Sequence, residues 1–194
     1  LQDRSLGGFV NPEWESGETY NLFLNVGETV LDEEFELTDS VIVPPGRYEA
    51  NSVLFFGNTS KNRWAYLDVN GTVGQFYDGD LFSLGGTLTM APTPQIALGV
   101  GYTRNDVEVP DGSFTADISS LRASYSFSTK LTTNVLVQYN SLDREFTTNV
   151  RLNFIHRPGS DLFLVFTENR GDDLRLRNVQ DRGLVMKITY LARL

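Results

Sequence analysis

Cysteine is absent from the 194 residues, which excludes a disulfide framework and thiolate chemistry. Histidine occurs once, as His156, and one imidazole without a thiolate is a poor start for a zinc site. Lys and Arg number 16 against 25 Asp and Glu, a net charge of −9. Nucleic-acid binding needs the opposite balance, with cations clustered against phosphates. No apolar run approaches the ~20 residues of a membrane helix, and no segment of useful length repeats its apolar residues every 3.6 positions. These absences leave one way across a membrane open. Alternating strands dilute their apolar residues with polar ones, so a barrel wall looks soluble by average hydropathy.

What the chain has is alternation. Residues 182–194 set Leu184, Met186, Ile188, Tyr190, Ala192 and Leu194 on one face and Val185, Lys187, Thr189, Leu191 and Arg193 on the other. That is the period of a β-strand. One face is apolar and the other carries two cations, which suits a barrel wall with lipid outside. The run Arg182-Gly183-Leu184-Val185-Met186-Lys187-Ile188 is similar to the C-terminal insertion signal of bacterial outer-membrane barrels. Those chains usually end in Phe or Trp, where this one has Leu194.

The same pattern recurs upstream. Residues 1–17 read as a loop or one short strand at 6–10. A strand follows at 18–26, a turn at Gly27-Glu28, and an acidic strand at 29–37. Residues 38–46 read as a loop, because Pro44-Pro45 cannot sit inside a ladder. Further strands are expected at 47–58, 63–77, 81–91, 95–107, 114–127, 131–140, 146–155 and 162–166. A phase slip at Ser119-Ser120 predicts a bulge. Turns are marked by Asp78-Gly79-Asp80, Pro92-Thr93-Pro94, Pro110-Asp111-Gly112, Ser128-Thr129-Lys130 and Arg157-Pro158-Gly159-Ser160, and 171–181 is a polar loop. The result is about eleven strands, most of roughly ten residues, against a soluble mean of 5–6. Ten residues tilted near 45° span roughly 23 Å, close to the apolar band of a membrane barrel. Turns alternate between tight and longer, as periplasmic turns and outer loops do. The predicted fold is all-β, an antiparallel up-and-down transmembrane β-barrel of about 11–12 strands, with 1–17 ahead of a barrel region at 18–194.

Several of these stretches resemble a known family. They are Phe76-Tyr77-Asp78-Gly79, Val109-Pro110-Asp111-Gly112-Ser113-Phe114, Leu121-Arg122-Ala123-Ser124-Tyr125-Ser126-Phe127-Ser128, Leu136-Val137-Gln138-Tyr139-Asn140, and the run from Arg157-Pro158-Gly159-Ser160 through Asp161-Leu162-Phe163-Leu164-Val165. They look like the C-terminal barrel region of bacterial outer-membrane proteins that carry an N-terminal module similar to carbohydrate-binding family 9. The resemblance covers roughly residues 40–194 and rests on turn and strand-end residues. It implies an outer-membrane barrel of unassigned function, and the carbohydrate-binding module has no counterpart in this chain. The chain begins at Leu1 with neither an initiator Met nor a signal peptide, as a processed chain or a fragment would. An open sheet edge cannot face lipid. Either residues 1–16 close the barrel as a twelfth strand, or further strands come from a preceding or separate chain; the expectation is the second, a C-terminal portion of a larger barrel.

Candidate chemistry is sparse. His156, Ser160 and Asp161 fall in or beside one tight turn, where three side chains rarely converge on a substrate. Asp78 and Asp80 fall short of the six to eight oxygens that Ca²⁺ requires. Glu33, Glu34, Glu36, Asp172 and Asp173 read first as a solvated surface, and second as cation bridges to lipopolysaccharide or as groups that repel anionic solutes. Gly99-Val100-Gly101 is no dinucleotide loop, since no helix follows. No cofactor, metal site or catalytic set is expected. The alternation points Arg122, Asn134, Gln138, Arg151, Asn153, Lys187 and Arg193 into a lumen, to touch solute or to fill the lumen with hydrogen bonds. The leading expectation is an outer-membrane pore, conduit or anchor for a periplasmic module. Its partners would be outer-membrane lipid, further barrel strands and a small solute or glycan, with no nucleic acid. The alternatives are a soluble all-β glycan-binding domain and an outer-membrane barrel hydrolase.

Overall fold

A computed structural model describes residues 2–38, 41–171 and 179–191. Among them are fourteen strands and no helix. They are β1 (Gln2–Val10), β2 (Thr19–Leu31), β3 (Phe35–Thr38), β4 (Val41–Val43), β5 (Gly46–Glu49), β6 (Ser52–Asn58), β7 (Ala65–Phe76), β8 (Gly79–Thr93), β9 (Ile96–Val109), β10 (Gly112–Ser128), β11 (Leu131–Asn140), β12 (Glu145–Arg157), β13 (Ser160–Gly171) and β14 (Val179–Thr189). The main sheet runs β1-β2-β6-β7-β8-β9-β10-β11-β12-β13-β14, with β5 also on β2 and β3–β4 paired separately. This is the all-β, antiparallel, up-and-down order that the alternation predicts. Its eleven-strand path matches the expected number, although the membership differs.

The differences have local causes. β1 is longer than the short strand read at 6–10, because Gln2 to Val10 pairs residue for residue with β2. Gly27-Glu28 is not a turn. β2 runs straight through it, and Gly27 is there because Arg4 O and Ser5 of β1 come so close that a Cβ would lie 2.4 Å from the carbonyl oxygen. The strand expected at 47–58 is two strands on β2, broken at Ala50-Asn51. The break lies opposite Gly27, where Ala50 N–H donates to Gly27 O at 2.8 Å and Asn51 Oδ1 accepts from Gly27 N–H at 3.3 Å.

Residues 38–46 are not all loop, since β4 forms within them and pairs with β3. The β7–β8 turn is Tyr77-Asp78, one residue before the expected Asp78-Gly79-Asp80, and Tyr77 has φ 55°. Gly79 belongs to the strand, where a Cβ would collide with the Glu108 carbonyl. The turn expected at Pro92-Thr93-Pro94 falls on Pro94-Gln95. The pairing of β10 with β11 is unbroken through Ser119-Ser120, and its register shift lies between Ser126 and Ser128, beside the turn. Most of the expected loop at 171–181, with Asp172 and Asp173, lies outside the described residues, as does the last part of the expected strand at 182–194, with Arg193 and Leu194.

Contacts divide the chain into two compact units, Leu1–Thr87 with Thr103–Asp117, and Leu88–Tyr102 with Ile118–Leu194. The buried apolar residues among those described are Leu31, Val41, Val43, Tyr48, Val107, Val109 and Ala116, all in the first unit. The β3–β4 hairpin supplies Val41 and Val43. Val43 packs with Leu31 and Tyr48, and Val41 with Val107 and Val109, while Leu37 borders both groups. Tyr77 is wedged among Tyr48, Phe76 and Phe35 at centroid distances of 5.2, 4.8 and 6.2 Å. Those ring contacts hold a non-glycine residue in a left-handed conformation that costs roughly 1–2 kcal/mol.

The second unit contributes none of those buried side chains, and no large side chain among the described residues is fully buried in either unit. Its strands β11 to β14 hold one register apiece, interrupted between Ile155 and Arg157 and between Asn169 and Arg170.

Candidate functional site

Residues directly opposite in an antiparallel pair share a face. Following the register from β10 to β14 therefore sorts the second unit into two faces. On one lie three successive rows: Arg122, Leu136, Asn149, Thr167 and Gly183; then Ser124, Asn134, Arg151, Val165 and Val185; then Ser126, Thr132, Asn153, Phe163 and Lys187. The row beyond Arg122 holds Ser120, Gln138, Thr147, Asn169 and Asp181. Six of the expected lumen residues, Arg122, Asn134, Gln138, Arg151, Asn153 and Lys187, thus share one face; Arg193 lies outside the described residues.

The face is polar but not uniformly so. Leu136, Phe163, Val165 and Val185 stand among the polar groups, and two of them, Phe163 and Val165, come from β13, whose central run is apolar on both sides. Two short hydrogen-bonded groups lie at its centre. Ser124 Oγ donates to Asn134 Oδ1 at 2.8 Å, and Arg151 stands opposite Asn134. Arg151 Nε donates to Asn149 Oδ1 at 2.8 Å, and Asn149 Nδ2 to Thr167 Oγ1 at 2.9 Å. Ser124 and Asn149 were visible in sequence only as members of an inward phase, and Thr167 lies past the end of the strand expected at 162–166, within β13. Arg122 and Lys187 stand opposite Leu136 and Phe163, and both are exposed.

The other face of the same strands is apolar. Its central rows are Ala123, Val135, Val150, Phe166 and Leu184, then Tyr125, Thr133, Leu152, Leu164 and Met186; Leu131, Phe154, Leu162 and Ile188 follow. Leu184, Met186, Ile188 and Tyr190 are 62–69% exposed. Aromatics and charges mark where the apolar rows stop. At one end Tyr139 packs on Phe146 at 4.7 Å, and Glu168 accepts from both Arg170 and Arg182. At the other, Arg157 stacks over Tyr190 at 4.7 Å and donates to Leu191 O at 3.0 Å.

The remaining candidates do not assemble. His156 sits at the register shift of β12. Ser160 is buried, and its Oγ accepts from Leu191 N–H at 3.1 Å, a structural bond rather than a nucleophile–base contact. Asp78 and Asp111 line a cavity of about 240 Å³ in the first unit, with Tyr48, Tyr77, Val43 and Pro110. Burial, and then the charges of Asp78 and Asp111, hold the Tyr48 hydroxyl above the usual phenol range; it donates to Pro44 O at 2.6 Å. No group of three or more potential metal ligands occurs among the described residues.

No protein-family model matches the chain, and no curated protein is similar to it in sequence. Among solved structures it is similar to a KdgM porin in complex with disordered oligogalacturonate. The TM-score is 0.43 and the identity 10%, over 96% of this chain and 94% of that one.

Proposed function

We propose that the chain forms part of an outer-membrane β-barrel, with the polar face of β10–β14 toward a lumen and the opposite face toward lipid, and that it acts as a pore or conduit. The observation that carries this is the inversion of burial. Large apolar side chains stand exposed in ordered rows, with Leu184, Met186, Ile188 and Tyr190 on one strand face, while on the other face Ser124 bonds Asn134, and Asn149 links Arg151 to Thr167. In water such a surface would cost ~25 cal/mol for each Å² left uncovered; against acyl chains it costs nothing. Strand lengths of 10–17 residues from β7 to β13 fit a tilted crossing of the hydrocarbon. The charged and aromatic residues that end the apolar rows fit the interface.

An open sheet edge cannot face lipid, so closure of such a barrel takes further strands, from the same chain or another. Anchoring of a periplasmic module is the companion role. It rests on the resemblance of residues 40–194 to the barrel region of proteins that carry such a module.

The test is gel mobility of the detergent-extracted protein, unboiled against boiled. A closed barrel resists SDS and changes apparent size on heating. A protein soluble without detergent, and showing no shift, overturns the membrane reading in favour of a soluble all-β domain.

A further inference from the structure

We propose that Arg122, Arg151 and Lys187 form a cationic belt that recognises an anionic solute, one bearing carboxylate, phosphate or sulfate groups. This rests on the reading that the polar face lines a lumen. The three rows that hold these residues comprise fifteen positions on five strands, and they contain three cations and no carboxylate. The acids of the same face, Glu145, Asp161 and Asp181, all fall outside those rows. Arg151 is held by a neutral partner, Asn149. Arg122 and Lys187 have no hydrogen-bond or ion-pair partner among the described residues. In a chain of net charge −9, a run of uncompensated cations on one face is the opposite of what composition predicts.

The register also puts the three at one depth. Arg122, Arg151 and Lys187 lie on β10, β12 and β14, which run in the same direction, and they step by one row every two strands. On the apolar face of the same strands, Tyr125, Phe154 and Tyr190 step in the same way. Each stands three residues after its strand's cation. Aromatics at the lipid interface mark a level in the membrane, so a constant offset from them places the cations at a common level too. That level is ~10 Å along each strand from the aromatics, or ~7 Å along the membrane normal at a 45° tilt. Neighbouring cations are two strands and two residues apart, roughly 12 Å between Cα atoms. Long side chains can close that gap around one multiply charged solute. Arg and Lys are also the donors that bind such groups most strongly.

The experiment uses the full chain, refolded and shown to be heat-modifiable, in two assays. Planar bilayers give the conductance and the reversal potential across a KCl gradient. Calorimetric titration of the detergent-solubilised protein with tripolyphosphate gives binding. The expected result is chloride preference over potassium and saturable tripolyphosphate binding. In the Arg122→Gln/Arg151→Gln/Lys187→Gln variant the chloride preference should vanish, and affinity should fall about tenfold for each cation removed. Lys130→Gln, in the β11 turn, should change neither.

If the triple variant does not fold, Arg122→Gln/Lys187→Gln carries the test, because those two side chains hold nothing in place. Conductance with potassium preference, together with tripolyphosphate affinity unchanged in the variant, overturns the belt and leaves the pore standing. Binding that the variant loses, in a protein that does not conduct, upholds the belt and overturns the pore in favour of a plugged barrel. Neither conductance nor binding overturns both.

Discussion

Leu164 occupies the middle of the apolar rows, between Leu152 of β12 and Met186 of β14. Thr147 lies on the opposite face, between Gln138 of β11 and Asn169 of β13. Arginine at the two positions should behave very differently if one face meets lipid and the other water. At the bilayer midplane an outward Arg costs about 2–4 kcal/mol, so Leu164→Arg should lower the folding equilibrium constant roughly thirty- to nine-hundred-fold. Thr147→Arg should stay within ~0.5 kcal/mol, as solvated substitutions do. A third variant separates lipid from a protein core. Leu→Ala in a packed core costs about 2–5 kcal/mol, much of it for the cavity left behind. Acyl chains fill such a space, so Leu164→Ala should cost clearly less than that range. The assay is reversible urea unfolding from lipid vesicles, followed by gel mobility of the unboiled protein. Equal effects of Arg at 164 and 147, or a full core-like cost for Leu164→Ala, would refute the assignment of faces.

Three further outcomes are expected. Glu168 is the shared partner of Arg170 and Arg182, and its side chain is 13% exposed against 19% for Arg170. Glu168→Gln leaves two cations beside the apolar rows and should destabilise by about 1–3 kcal/mol, more than Arg182→Gln does; paired unfolding curves measure this. Gly79→Ala forces a methyl into the Glu108 carbonyl and should cost at least ~1–3 kcal/mol, with loss of the β7–β8 hairpin amide protection in hydrogen exchange. Glu18, in the loop before β2, is bonded by Ser16 and ion-paired with Arg63 at 2.7 Å, and these hold its carboxyl below the usual range. A depressed folded value means the link adds stability above the unfolded pKa and loses it as pH falls through the folded one. Carbon-detected NMR titration should therefore show Glu18 protonating below the usual carboxylate range, and Arg63→Ala should raise it; no change in that variant would refute the role given to Arg63.

Much of the strand content was legible because period two survives without any knowledge of the fold. Lys187 and Met186 point to opposite sides wherever β14 is placed. The same reasoning failed where backbone contact, not side-chain pattern, chose the structure. Gly27 looks like a turn residue in sequence, yet it is a contact point between strands, and only the approach of Arg4 O shows why. Residues 29–49 defeated the pattern for a different reason. Beyond Leu31 they form short strands that pack Val43 and Tyr48 on Leu31, and Val41 on Val107 and Val109, and short strands have no long alternation to read.

The site was legible to the same depth and no further. Phase alone puts Arg122, Arg151 and Lys187 inward as separate residues. Nothing in the sequence says that Arg122 stands opposite Leu136, or that Asn149 rather than a carboxylate holds Arg151. Register supplies both, and it sets the three cations at one constant offset, three residues before Tyr125, Phe154 and Tyr190. The two features then constrain each other. If the aromatics mark the lipid interface, the cations cannot be spread along the conduit, and if the cations act at separate depths, the aromatics cannot be one girdle.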